Sequence, residues 1–134
     1  MTQANNGTWM EHFDALITNE LGCGLTMNYA DCTPIFLYDP VQQAIGLGHA
    51  GWKGAVVDLP GAMVRAMQTQ FGSNPAHLLA GIGPCISLAN YEVDEPLVSE
   101  VKEAFADWER LLMKPDGKRN GRFHFDLPEA NRRN

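Results

Sequence analysis

The chain has 134 residues, enough for one domain with its own core, and its apolar (45%) and charged (19%) shares are ordinary for a globular protein. A formal net charge of −6 argues against general binding to nucleic acid or to an anionic membrane. Three widely spaced cysteines without a Cys-x-x-Cys pair fit a reducing compartment, and the polar start and lack of any membrane-length apolar run point to the cytoplasm.

Residues 1–12 read as a loose tail and residues 13–134 as a single α/β domain. Asp14 to Thr18 is a strand candidate, and Gly24 to Ala30 is a second. Pro34 to Tyr38 clusters β-branched and aromatic residues and reads as a strand. Asp39 to Gln43 supplies turn chemistry, and Ala44 to His49 reads as the returning strand. So short a connection requires an antiparallel pair. A turn centred between Pro40 and Val41 would set Phe36 opposite Ile45, Pro34 opposite Leu47 and Cys32 opposite His49.

After Gly51 and Gly54 a helical pattern begins. Val56, Leu59, Met63, Val64, Met67 and Phe71 fall three and four apart, with a kink or restart expected at Pro60-Gly61. Phe71 to Pro75 ends that helix. His77 to Gly83 reads as a strand. Asp94 is the expected N-cap of a helix whose apolar face carries Leu97, Val101 and Phe105, extended by Trp108 and Leu111-Leu112. Lys114 to Arg122 reads as a solvated loop, with phosphate contact as the other reading. Arg122 to Asp126 is a last strand, and a helix opens at Leu127-Pro128. That helix has little length before Asn134, the pattern expected of an incomplete domain. Alternating strands and helices fit an α/β or α+β layered sandwich.

Cys32 and His49 are the first candidates for chemistry. A thiol and an imidazole brought together by a hairpin can ligate a metal, or act as nucleophile and base. Read singly, Cys32 is equally a structural thiol and His49 a satisfied polar residue. Asp31 can orient the imidazole or a water, or simply end a turn. Gly51-Trp52-Lys53-Gly54 enters a helix, so its free N–H groups and Lys53 can hold phosphate, or form a glycine turn over a packed Trp52. Cys85, in Gly81-Ile82-Gly83-Pro84-Cys85, is a second thiol for the site or a buried spectator. Cys23 reads as structural, and His12, His77 and His124 have no partner at diagnostic spacing.

Several segments in order resemble a known family. They are Asp14-Ala15-Leu16-Ile17-Thr18, Ala30-Asp31-Cys32-Thr33-Pro34, His49-Ala50-Gly51-Trp52-Lys53-Gly54, Phe71-Gly72-Ser73, Gly81-Ile82-Gly83-Pro84-Cys85-Ile86 and Tyr91-Glu92-Val93. Together they resemble the YfiH, or laccase-domain, family of purine nucleoside phosphorylases, formerly called multicopper polyphenol oxidases. The resemblance implies a layered α/β sandwich with mixed sheets. It implies phosphorolysis of adenosine, inosine and methylthioadenosine, and deamination of adenosine, with purine nucleoside and phosphate as partners. It also implies a zinc site of His, Cys and His, in which Cys32 and His49 match two ligands. The family's first histidine lies in a Gln-Val-His-Gly segment that this chain lacks, and Trp52-Lys53-Gly54 stands where the family usually has Trp-Arg-Gly. The family's portion beyond the helix near Pro128 is also missing, so the chain resembles a member shortened at both ends. The alternatives are a copper-dependent phenol oxidase, an inactive metal-binding remnant, and a metal-free Cys–His hydrolase. Four histidines in all are few for a type 1 copper plus a trinuclear cluster.

Overall fold

Burial alternates along β2 (Thr33–Asp39): Thr33, Ile35, Leu37 and Asp39 are buried on one face, while Phe36 and Tyr38 stand exposed on the other. That alternation builds the first sheet of the computed structural model, which describes residues 12–114 and 122–134. β3 (Ala44–Ala50) returns antiparallel to β2, β1 (Ala15–Thr18) pairs with the far side of β3, and β4 (Leu79–Ile82) pairs with the far side of β2. The strand order is β1-β3-β2-β4.

β3 leads through Gly51 into α1 (Trp52–Val56) and then α2 (Leu59–Phe71). Met63 and Met67 of α2 pack on Ile35, Leu37, Ala44 and Ala50 to form one core. Close approach explains the small residues of β3, because a Cβ at Gly48 would overlap the Met63 thioether. The helix restart expected at Pro60-Gly61 falls slightly earlier. Asp58 takes a left-handed conformation (φ 55°), its carboxylate accepts from the Gly61 N–H at 2.9 Å, and Pro60 sits in the first turn, where no N–H is needed. Gly72 (φ 71°) closes α2 in the left-handed region that glycine enters without strain.

The second layer contains β5 (Glu92–Val93), β6 (Leu112–Met113) and β7 (Phe123–Phe125) in the order β5-β7-β6, with α3 (Glu95–Ala104) and α4 (Leu127–Arg133). Val98, Val101, Leu111, Phe125, Leu127 and Ala130 centre its core, and Ala55 of α1 joins it. α4 is tied to the first layer by side-chain amides. Asn131 Nδ2 donates to Ala50 O at 3.3 Å and Asn134 Nδ2 to Ala55 O at 2.7 Å. The architecture is the expected α/β layered class; every strand pairing among the described residues is antiparallel, where mixed sheets were implied.

The hairpin register differs from the expected one by two residues. Phe36 faces Leu47 and Pro34 faces His49, so Cys32 is not opposite His49. The cause is the Asp39 side chain, whose Oδ1 accepts from the Val41 N–H at 2.8 Å and the Gln42 N–H at 3.1 Å. This draws Pro40 to Gln43 into the loop, with Gln43 left-handed at φ 50°, and moves the turn centre one residue along.

Gly24 to Ala30 is not a strand. Cys23, Leu25, Met27 and Tyr29 alternate half-buried with exposed neighbours, so the chain is extended there, but its backbone joins no ladder. Leu111 and Leu112 do not extend α3 either: the helix ends at Ala104, a 3-10 turn spans Trp108–Arg110, and Leu112 enters β6. Asp94 stands at the N-cap of α3 without a side-chain hydrogen bond to it. Most of the basic 114–122 stretch, and residues 1–11 of the expected tail, lie outside the described residues. Of the stretch's ends, Lys114 Nζ lies 5.8 Å from the Phe123 ring centroid and Arg122 pairs with Glu92 at 2.8 Å.

Candidate active site

His49 reaches the site because β3 is pleated. Its neighbours Gly48 and Ala50 turn toward α2, so the half-buried imidazole projects from the opposite face. The Tyr29 ring meets the imidazole edge-on, with centroids 5.2 Å apart at 68°, while the His49 backbone N–H donates to the Asp14 backbone O at 2.7 Å and fixes the main chain there. Tyr29 is itself anchored by its hydroxyl, which donates to Gly48 O at 3.1 Å.

Cys32 follows Asp31, which bends the chain in a left-handed conformation at φ 70°, one that Asp tolerates better than most residues. Asp31 O accepts from the Ile86 N–H at 2.9 Å, which brings the Pro84-Cys85 turn beside Cys32. Gly51 lies tight against Cys32, since a Cβ would stand 2.8 Å from Cys32 Sγ and the thiol would have to shift. That contact places Cys32 across from Gly51, the residue two beyond His49 on the same side of the chain. Cys32 and His49 therefore share a face as diagonal neighbours rather than as an opposed pair.

Burial pushes the Cys32 thiol up, and the charges of Asp31 and Asp14 and the Cys85 thiol add to the effect. Burial raises the Tyr91 phenol too, with Cys32 and Asp31 contributing, and burial raises Tyr29. At neutral pH the site therefore presents a protonated thiol and two phenols. A thiol raised in this way is not a preformed thiolate nucleophile, which weakens the metal-free Cys–His hydrolase.

The remaining sequence candidates divide. Asp31 and Cys85 are beside Cys32. Lys53 is exposed on α1, its Nζ 5.6 Å from the Trp52 ring centroid. α1 has five residues, too short for its N-terminus to count as an anion site by itself. His124 Nδ1 lies 3.0 Å from Leu88 O, and His77 ends a 3-10 turn close enough to Asp39 to act on its charge. Tyr29, Asp14 and Tyr91 were missed as site residues. The period-two burial from Cys23 to Tyr29 was visible as alternation, but which end reached a histidine was not.

A catalytic zinc usually takes three protein ligands. Among the described residues no group of three His, Cys, Asp or Glu side chains could hold a metal ion. Cys32 and His49 offer two donors, so the described residues do not fit a complete zinc or copper site.

Comparison with known proteins places this arrangement among relatives. A family model described as multi-copper polyphenol oxidoreductase laccase matches residues 1–134. Purine nucleoside phosphorylase YlmD of Bacillus subtilis (strain 168) is 38% identical over 125 residues, which cover 93% of this chain and 44% of that protein. Adenosine deaminase RL5, from an unknown prokaryotic organism, is 33% identical over 123 residues, covering 92% of this chain and 46% of that one. The crystal structure of Bacillus licheniformis hypothetical protein YfiH superposes with a TM-score of 0.82 at 32% identity, covering 90% of this chain and 44% of that chain. The chain thus spans somewhat under half the length of these relatives. No helix among the described residues is long and apolar enough to cross a membrane.

Proposed function

Because this chain belongs to the multi-copper polyphenol oxidoreductase laccase family, we propose that it contributes the Cys32–His49 face to an enzyme acting on purine nucleosides. In phosphorolysis a phosphate oxygen bonds to C1′ of the ribose as the bond from C1′ to the purine nitrogen breaks. In deamination of adenosine a water oxygen replaces the amino group at C6, which leaves as ammonia. The names of the relatives support both reactions. The observation that carries the proposal is the convergence of Cys32, His49 and Tyr29 on one sheet face, with the imidazole held by the tyrosine ring and the His49 backbone tied to Asp14 O. Orientation of this kind is what a reacting group needs before it can lower a barrier.

In this reading Tyr29 sets the plane of the His49 imidazole, and Tyr91 closes the Cys32 side. Lys53, in the first turn of α1 just after His49, supplies a positive charge for the phosphate. Zinc enters only through two donors. Cys32 and His49 would hold it together with a donor from outside the described residues, and metal analysis of the parent and of Cys32→Ala checks this. Phenol oxidation is the weaker reading, because His124 Nδ1 lies against Leu88 O and His77 stands near Asp39, at the far end of β2 from Cys32.

The test is release of adenine from adenosine with and without phosphate, and formation of inosine in parallel. The parent should release adenine only with phosphate, and Cys32→Ala and His49→Ala should each abolish it. Turnover in both variants at the parent's rate would remove the proposal.

A further inference from the structure

Two backbone hydrogen bonds bracket a second thiol against Cys32. The Gly83 N–H donates to Pro34 O at 2.9 Å, and the Ile86 N–H donates to Asp31 O at 2.9 Å. The first bond continues the β2–β4 ladder, which pairs Ile35 with Ile82 and Tyr38 with Leu79. The second joins residues that a regular continuation would leave unbonded, since opposed antiparallel pairs bond only at every other position, so the ladder is broken between the two bonds. The Ile86–Asp31 bond by itself sets the next residues inward, Cys32 and Cys85, beside one another.

Residues opposed across antiparallel strands point to the same face, with Cα atoms roughly 4.5–5.5 Å apart. A disulfide requires Cα atoms about 4.4–6.8 Å apart. Both cysteines are half-buried and carry free thiols, as does Cys23. The Cys85 thiol is also close enough to act on Cys32 electrostatically.

We propose that Cys32 and Cys85 form a reversible cross-strand disulfide that withdraws Cys32 from the site. The oxidant is a small-molecule disulfide such as oxidised glutathione. One cysteine thiolate attacks a sulfur of the oxidant, forming a mixed disulfide and releasing one glutathione thiol. The second cysteine then attacks the protein-bound sulfur and releases the other. The protein loses two S–H bonds and gains one S–S bond, and the oxidant is reduced to two thiols. The inference rests on the Ile86–Asp31 backbone pairing and not on the nucleoside reading, and its readout is covalent, so the two can fail separately.

The experiment treats the full chain with oxidised glutathione, alkylates the remaining thiols and maps peptides by mass. Of the three cysteines, only Cys23 should remain alkylated, with the Cys32 and Cys85 peptides joined, and dithiothreitol should restore all three. Cys85→Ser should give no joined peptide, while Cys23→Ser should still form it. If Cys85→Ser fails to fold, Cys23→Ser alone decides the matter. Three free thiols after oxidation, a stable glutathione adduct on Cys32 in the parent, or a bond involving Cys23 would each overturn the proposal.

Discussion

The two faces of the four-stranded sheet are put to different uses. The face toward α2 is packed along β2 and β3: Ile35 and Leu37 are 3% and 5% exposed, and Met63 and Met67 cover the glycines and alanines of β3. On the other face Phe36 is 48% exposed, Tyr38 44% and Leu79 62%, and it is there that His49 and Cys32 are held. The period-two pleat of β2 and β3 allows one pair of strands to fill a core and present a site. Substitutions should therefore separate stability from activity according to the parity of their position.

The largest expected effect is on the packed face. Met63→Ala should cost about 2–5 kcal/mol, as removing a buried methionine side chain does elsewhere, and Gly48→Ala about 1–3 kcal/mol through overpacking. Phe36→Ala, a larger truncation on the open face, should cost only about 1 kcal/mol because half of the ring is already in water. Denaturant unfolding measures all three, and a Phe36→Ala loss equal to that of Met63→Ala would break the distinction.

His49→Ala and Cys32→Ala should reverse the pattern, changing stability by less than about 1 kcal/mol while removing phosphate-dependent turnover. Gly51→Ala tests the same face more gently. Its methyl must displace the Cys32 thiol, and a displacement of this size should cost roughly 10–100-fold in turnover, read as kcat on a variant that unfolds near the parent's midpoint.

The smallest effect belongs to neither face. Glu129 bonds to Arg132 and Arg133 within α4, and these guanidinium groups lower its pKa to about 2. A depressed carboxylate stabilises the folded chain above its ordinary value near 4.5 and loses that contribution as pH falls toward about 2. Thermal unfolding between those limits should decline a little less steeply in Glu129→Gln than in the parent.

How much of this was legible in sequence follows from how local each signal is. The strand pair around the Asp39 turn, the restart before Pro60 and the end of α2 at Gly72 were readable because each is set by residues within one turn. The two-residue register shift was not, because Asp39 has the same letter whether or not its carboxylate caps the loop. Gly24 to Ala30 carried a true alternation without a backbone partner, and periodicity cannot distinguish the two. Cys32 and His49 were readable as a motif. The Tyr29 contact and the Cys32–Cys85 juxtaposition depend on pairings between distant segments, which short-range patterns do not encode.

The most direct test of the account is adenine release from adenosine, followed in phosphate for the parent and for His49→Ala. The account predicts phosphate-dependent release by the parent and background release by the variant, with both unfolding at similar denaturant concentration. Equal release by a folded His49→Ala would contradict it.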